Sequence, residues 1–203
     1  MKIPRINEFI RGCNEFERHE KREAMYQVAT FLINNSWGKP YDMANGLGVL
    51  LLTWNQAFYR YGFFDFDKLE ACIEKNLTKL ADFRKRNICN YSIDDGVYIK
   101  KLFKDFLQAT QIATGKMRGI RSPVAVAKAL HLLAPEFFPI WDDKISRAYN
   151  CYYNIDPSGQ YINFFEITKE IADKLKHSVN RTDKTLIKLI DQYNYSKYTK
   201  EWI

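Results

Sequence analysis

Two features of this chain have residue types and spacing that could do chemistry together. Asp142 opens the run Asp142-Asp143-Lys144-Ile145-Ser146-Arg147, directly after the aromatic and proline-containing link Phe137-Phe138-Pro139-Ile140-Trp141. A carboxylate fixed beside aromatic rings suits work on a flat, stacked substrate, where it stabilises developing positive charge or takes a proton from water. The same residue type is what a helix start requires, since an N-cap aspartate accepts a backbone N–H. The residue types alone allow both readings. One helix upstream, the turn Gly115-Lys116-Met117-Arg118-Gly119-Ile120-Arg121-Ser122 sets three cations beside a helix start. Backbone N–H groups at such a start bind anions, phosphate included. Its bland reading is a solvated loop with ordinary surface charge.

The elements that must position these groups read as helices nearly throughout. Residues 20–35 carry Met25, Val28, Ala29, Leu32 and Ile33 at helical spacing and end near Gly38. A second helix runs through the segment 47–62 to Gly62, and residues 67–86 place Leu69, Cys72, Ile73, Leu80 and Phe83 on one stripe. Ser92 with Asp95 forms a capping box ahead of Val97, Ile99, Leu102 and Phe103. Ser122-Pro123 gives an N-cap serine followed by a first-turn proline, a double start signal. Residues 142–152 and about 160–177 read as helices separated by a turn at Asp156-Pro157-Ser158-Gly159, and a last helix follows Thr182. No strand alternation, repeat or low-complexity linker interrupts the pattern. The expected fold is all-α, eight to ten helices in a single unit spanning 1–203, with two lobes around a cleft as a variant of that plan.

Composition narrows the function classes. The 203 residues are 46% hydrophobic and 27% charged, ordinary for a globular chain, with aromatics at 15%. Thirty-one Lys and Arg against 24 Asp and Glu give a net charge of +7, which favours a polyanionic partner through counterion release. Cys13, Cys72, Cys89 and Cys151 are widely spaced, without the clustering that zinc, iron–sulfur or a disulfide framework needs. No metal or cofactor is expected. No apolar run reaches membrane-spanning length and the N-terminal segment lacks a signal-peptide core, so the expectation is a cytoplasmic monomer without membrane attachment.

The turn and the aspartate segment together resemble the helix-hairpin-helix DNA glycosylase superfamily, the group of endonuclease III and 3-methyladenine glycosylase. Its hairpin reads roughly G-V-G-x-K-T-A, followed by a helix and an I-x-V-D-x-x-I-x-R segment. Here Gly119-Ile120-Arg121-Ser122-Pro123-Val124-Ala125 stands at the hairpin and Ile140-Trp141-Asp142-Asp143-Lys144-Ile145-Ser146-Arg147 at the aspartate segment. Leu51-Leu52-Thr53-Trp54-Asn55-Gln56-Ala57 looks like the L-L-S-x-Q-x-T helix that endonuclease III presents to DNA. The matching segments cover about a quarter of the chain. Arg121 replaces the second hairpin glycine, and Pro123 occupies the position of the lysine nucleophile found in bifunctional members.

The resemblance implies a monofunctional DNA glycosylase with double-stranded DNA as partner, acting on a damaged or modified base in repair or in defence against phage with modified DNA. Asp142 would stabilise the oxocarbenium ion and position water. Trp54, Asn55, Gln56, Tyr59 and Trp141 would form the base pocket or the wedge filling the vacated stack. Lys116, Arg118, Gly119, Arg121 and Ser122 would hold phosphate, and Lys128 on the intervening helix is the alternative nucleophile. His131, on that same helix, either reaches the pocket or is a satisfied structural residue. The competing expectation is a non-catalytic helical nucleic-acid-binding protein on the same scaffold.

Overall fold

Ten α-helices make up most of the regular structure of this computed structural model, which describes residues 3–179 and 183–203; no β-strand occurs among the described residues. Thr182, which the sequence places just ahead of the last helix, lies outside the described residues. The first helix, α1 (Ile6–His19), buries Phe9, Cys13 and Phe16 along one stripe. Then follow α2 (Ala24–Ser36), α3 (Pro40–Trp54), the single turn α4 (Gln56–Tyr59) and α5 (Phe66–Arg84). A 3-10 turn at Ile88–Asn90 leads to α6 (Asp95–Ala109), and α7 (Pro123–Leu133), α8 (Asp143–Ala148), α9 (Pro157–Leu175) and α10 (Leu186–Asn194) complete the set. The chain after α10 closes with a π turn at Tyr195–Thr199.

Several boundaries differ from those read in the sequence, each for a local reason. The segment 47–62 is broken at Asn55, whose side chain bonds Ser122 and Lys128 instead of continuing the apolar run. Residues 20–23 form a linker, not helix, and Glu23 at its end has φ +38. Helix α6 begins at Asp95, three residues after Ser92, although Asp95 does accept the Ser92 N–H at 2.8 Å as a capping box would. Asp156-Pro157 starts α9 outright: Asp156 caps it by accepting from Gly159 N, and Pro157 takes the first-turn position. The helix expected over 142–152 ends at Ala148, and Asn150 follows at φ +57.

Helix α7 lies at the centre. Every residue from Ala125 to Leu133 is buried, Lys128 and His131 included. A helix apolar nearly all round belongs in a core, and α7 packs against α2, α3 and α6. Around it, α3 packs on α2 and α5, and α6 on α9. The first helix packs on the last, so α1 and α10 form a pair separate from the α2–α3–α7 group. A cleft is lined by residues of both sets.

An aromatic hub fixes the link from α7 to α8. Phe137 stacks on Phe83 at 4.7 Å, and Trp141 sits among Tyr161 at 5.2 Å, Phe164 at 5.6 Å and Phe103 at 6.2 Å. Such ring pairs contribute about 0.5–1.5 kcal/mol each beyond the area they bury. The Trp141 indole N–H donates to Pro123 O at 3.2 Å, tying this link to the start of α7. Asp142 therefore hangs from one of the most firmly packed segments of the chain.

Candidate active site

A cleft of about 690 Å³ opens where α1, the 20–23 linker, α2, α7, α8 and α10 meet. That volume lies within the range of small-molecule and nucleotide sites. Asp142, Lys128, Trp54, Tyr26, Asp191 and Lys188 face it from five different elements.

Asp142 is both the helix cap and a cleft residue. Its Oδ1 accepts the Ile145 N–H at 2.7 Å, which starts α8, and its Oδ2 accepts the Thr199 hydroxyl at 2.5 Å. Each carboxylate oxygen accepts two hydrogen bonds, so both retain acceptor capacity. The cap fixes the rotamer, and Thr199 fixes the second oxygen from the π turn. The carboxylate is thus held in one orientation at the cleft wall.

Lys128 projects from the second turn of the buried α7. Its ammonium donates to Trp54 O at 3.1 Å and Asn55 Oδ1 at 3.2 Å, and lies 4.4 Å from the Trp54 ring centroid. Burial pushes its pKa down to about 8, while Asp191 and Asp142 pull it back up. An amine so placed is partly neutral near pH 8, the state required of a nucleophile or general base.

Behind Lys128 lies a second charged group. Lys188 is paired with Glu23 at 2.7 Å and Asp191 at 2.9 Å, with its side chain only 3% exposed. Burial alone would lower its pKa, but Asp191 and Glu23 outweigh that and hold it above the ordinary lysine value. Tyr26 lies against this group, its ring centroid 4.5 Å from the Lys188 ammonium, and meets the Trp54 ring edge to face. Burial raises the Tyr26 phenol to about 12. Its hydroxyl is 3.1 Å from His131 Nε2, and His131 Nδ1 is 2.8 Å from Phe138 O. Because a carbonyl only accepts, Nδ1 carries the proton and Nε2 accepts from Tyr26. Burial drives the His131 pKa down to about 3, with Phe138 O opposing the shift. His131 is a neutral structural residue that orients Tyr26.

The expected base-pocket residues divide. Trp54 is half-buried and lines the cleft. Asn55 serves position instead, bridging Ser122 Oγ at 3.2 Å and the Lys128 ammonium. Gln56 is exposed on the short α4 and does not line the cleft. Tyr59 is a correction: it is buried in the core, its hydroxyl donating to Thr110 O at 3.0 Å, because α4 turns its aromatic face inward. Trp141 is fully buried, so it backs the cleft wall and offers no free ring face.

The expected phosphate-binding turn lies away from the cleft. Residues 110–122 form an irregular connection between α6 and α7, and several of its amides are bonded within it. Arg118 N donates to Gly115 O, Gly119 N to Ile112 O and Ile120 N to Met117 O. Arg121 folds back onto α6, with Nε donating to Gln111 at 2.9 Å and Nη2 to Gln108 at 2.7 Å. Ser122 is buried, and its hydroxyl accepts from Ala125 N and Asn55 as the α7 cap. Lys116 and Arg118 are exposed, but none of 116–122 lines the cleft.

The residues that the sequence reading passed over are Tyr26, Glu23, Lys188, Asp191 and Thr199. The one local signal is Lys188 with Asp191, an ionisable pair three apart, Lys188 inside and Asp191 directly after the otherwise apolar run Leu186–Ile190. Among the described residues no group of three His, Cys, Asp or Glu side chains could hold a metal ion, and no helix is long and apolar enough to cross a membrane. No protein-family model, curated protein or solved structure matches the chain.

Proposed function

We propose that this cleft hydrolyses the N-glycosidic bond of a nucleotide turned out of duplex DNA, with Asp142 as the catalytic carboxylate. The observation that carries the reading is that Asp142 and Lys128 face one cleft, together with the aromatic pair Tyr26 and Trp54. As the base departs with the bonding electrons, positive charge grows on the sugar, and a fixed carboxylate beside C1′ stabilises it. Water then attacks C1′ and gives its proton to Asp142. The flipped base needs a partly apolar recess to offset the lost stacking, and the Tyr26–Trp54 wall supplies one.

Lys128 supports a second form of the same chemistry. Its proximity to Asp142 and its pKa of about 8 suit an amine that attacks C1′ directly, displacing the base and forming an imine with the opened sugar. Pro123, at the position of the family's usual lysine, argues against that form only at its own position.

The test is incubation with duplexes carrying a panel of damaged and modified bases, followed by hot alkali to reveal abasic sites. Hydrolysis yields alkali-labile sites without borohydride-trapped protein; the Lys128 form yields a covalent adduct that Lys128→Met abolishes. Salt-dependent binding without base release from any member of the panel leaves the non-catalytic binding protein as the answer.

A further inference from the structure

The cleft wall carries three carboxylates, Asp142, Asp191 and Glu23, and two buried amines, Lys128 and Lys188. Lys188 is spent on Glu23 and Asp191, and Lys128 is buried, so a phosphodiester chain on the surface needs cations at the mouth. The turn before α7 does not provide them: Arg121 is tied to Gln108 and Gln111, and the segment lies off the cleft. The linker between α1 and α2 does lie on the cleft, in the run Arg18-His19-Glu20-Lys21-Arg22-Glu23.

Both ends of this linker are immobilised. His19 stacks on Trp202 with ring centroids 4.2 Å apart. Glu23 holds a left-handed backbone conformation, φ +38, that residues other than glycine rarely adopt, and its carboxylate is bound by Lys188 at 2.7 Å and Gln192 Nε2 at 3.1 Å. Lys184 adds a longer pairing at 3.6 Å. Between these anchors Lys21 and Arg22 are exposed, and among the described residues neither has a carboxylate within ion-pairing distance. Arg18 adds a third cation, bonded at 3.4 Å to Glu15 but with 71% of its side chain exposed; Glu20 is the one exposed carboxylate in the run. The geometry is that of a stapled lip carrying cations at the mouth of the cleft.

We infer that the α1–α2 linker is the phosphate grip of this cleft, with Lys21 and Arg22 each neutralising a backbone phosphate of duplex DNA beside the nucleotide that enters it. This inference rests on the cleft being a DNA site and extends it by naming the contact. Both side chains extend from a backbone fixed at either end, so less freedom is lost when they meet phosphate.

The experiment measures binding of a fluorescently labelled duplex by anisotropy across a salt series, using the full chain. Three proteins are compared: wild type, Lys21→Ala/Arg22→Ala, and Lys116→Ala/Arg118→Ala. The linker variant is expected to bind roughly tenfold more weakly, with the log–log salt slope reduced by about 1.8, near 0.9 per lost phosphate contact. The loop variant is expected to keep the wild-type slope. An unchanged slope in the linker variant, with its thermal midpoint intact, overturns the assignment, as does a reduced slope in the loop variant alone. If wild type does not bind duplex at all, the DNA reading fails and the linker assignment fails with it. If the slope drops as expected while no modified duplex loses its base, the grip stands and the catalytic reading does not.

Discussion

Replacing Lys128 by methionine keeps the unbranched stem in the α7 core and removes the ammonium. In the fold the Lys128 pKa is about 8, against about 10.4 in the unfolded chain. Between those values the unfolded chain holds a proton that the fold has released, so stability rises with pH. Below pH 8 the fold carries the full cost of the buried charge. Integrating between about pH 7 and about pH 9.5 gives a gain of about 2 kcal/mol for wild type. The side chain is only 9% exposed, so solvent screening takes little from this figure. Urea unfolding of both proteins at the two pH values measures it, and the buried tyrosines, including Tyr26 and Tyr59, are common to both proteins and cancel in the difference. Lys128→Met should lack the gain. Equal pH dependence in the two proteins would refute the account of Lys128 as a desolvated amine, and with it the basis for its nucleophilic role.

Other outcomes follow from the same geometry. His131, with a pKa near 3 in the fold, stays neutral while the unfolded chain protonates at about pH 6.5. Stability therefore falls as the medium is acidified from pH 6.5 towards 3, by about 3 kcal/mol at about pH 4 from this group alone; His131→Gln should reduce that acid dependence in urea titrations. Ring nitrogen shifts of His131 indicating an imidazolium at pH 5 would contradict it. Gly115 and Gly119 have similar positive φ values, +80 and +91, but a Cβ on Gly115 would meet Tyr61 O at 2.1 Å, whereas nothing lies within 4 Å of one on Gly119. Gly115→Ala should thus cost about 2 kcal/mol or more and Gly119→Ala about 1 kcal/mol, read from thermal or urea unfolding; equal costs would contradict the packing of this loop.

Much of the helical order was legible because it rests on local rules. Ser122-Pro123 starts α7 as its residue types require, and Ser122 Oγ does accept from Ala125 N. The same rule, applied to Asp156-Pro157, places the start of α9 where the run Asp156-Pro157-Ser158-Gly159 also has the composition of a turn. Helix α1 is legible too, in Phe9, Cys13 and Phe16 at helical spacing. The site was legible only in part. Asp142 carried a local signal, but whether its carboxylate would cap α8, face a cleft or do both depends on α10 and the π turn, which meet it across more than forty residues of chain. Lys128 sits in a run whose burial on every side is set by packing, so its lowered pKa has no local signature. Basic residues misled most. Arg121 folds back onto Gln108 and Gln111, while the unremarkable run from Arg18 to Arg22 lines the cleft. Charge in sequence gives no direction; the fold assigns it.

The central claim is that the Asp142 carboxylate does chemistry besides capping α8. Asparagine caps helices as well as aspartate, so Asp142→Asn removes the negative charge while keeping the bond to Ile145 N. The decisive measurement is single-turnover formation of abasic sites by wild type and Asp142→Asn on the modified duplex that wild type processes best. The account predicts at least a hundredfold slower product formation by the variant, about 2.7 kcal/mol of lost transition-state stabilisation, with duplex affinity and unfolding midpoint retained. Equal rates in the two proteins would show that Asp142 is a cap and nothing more.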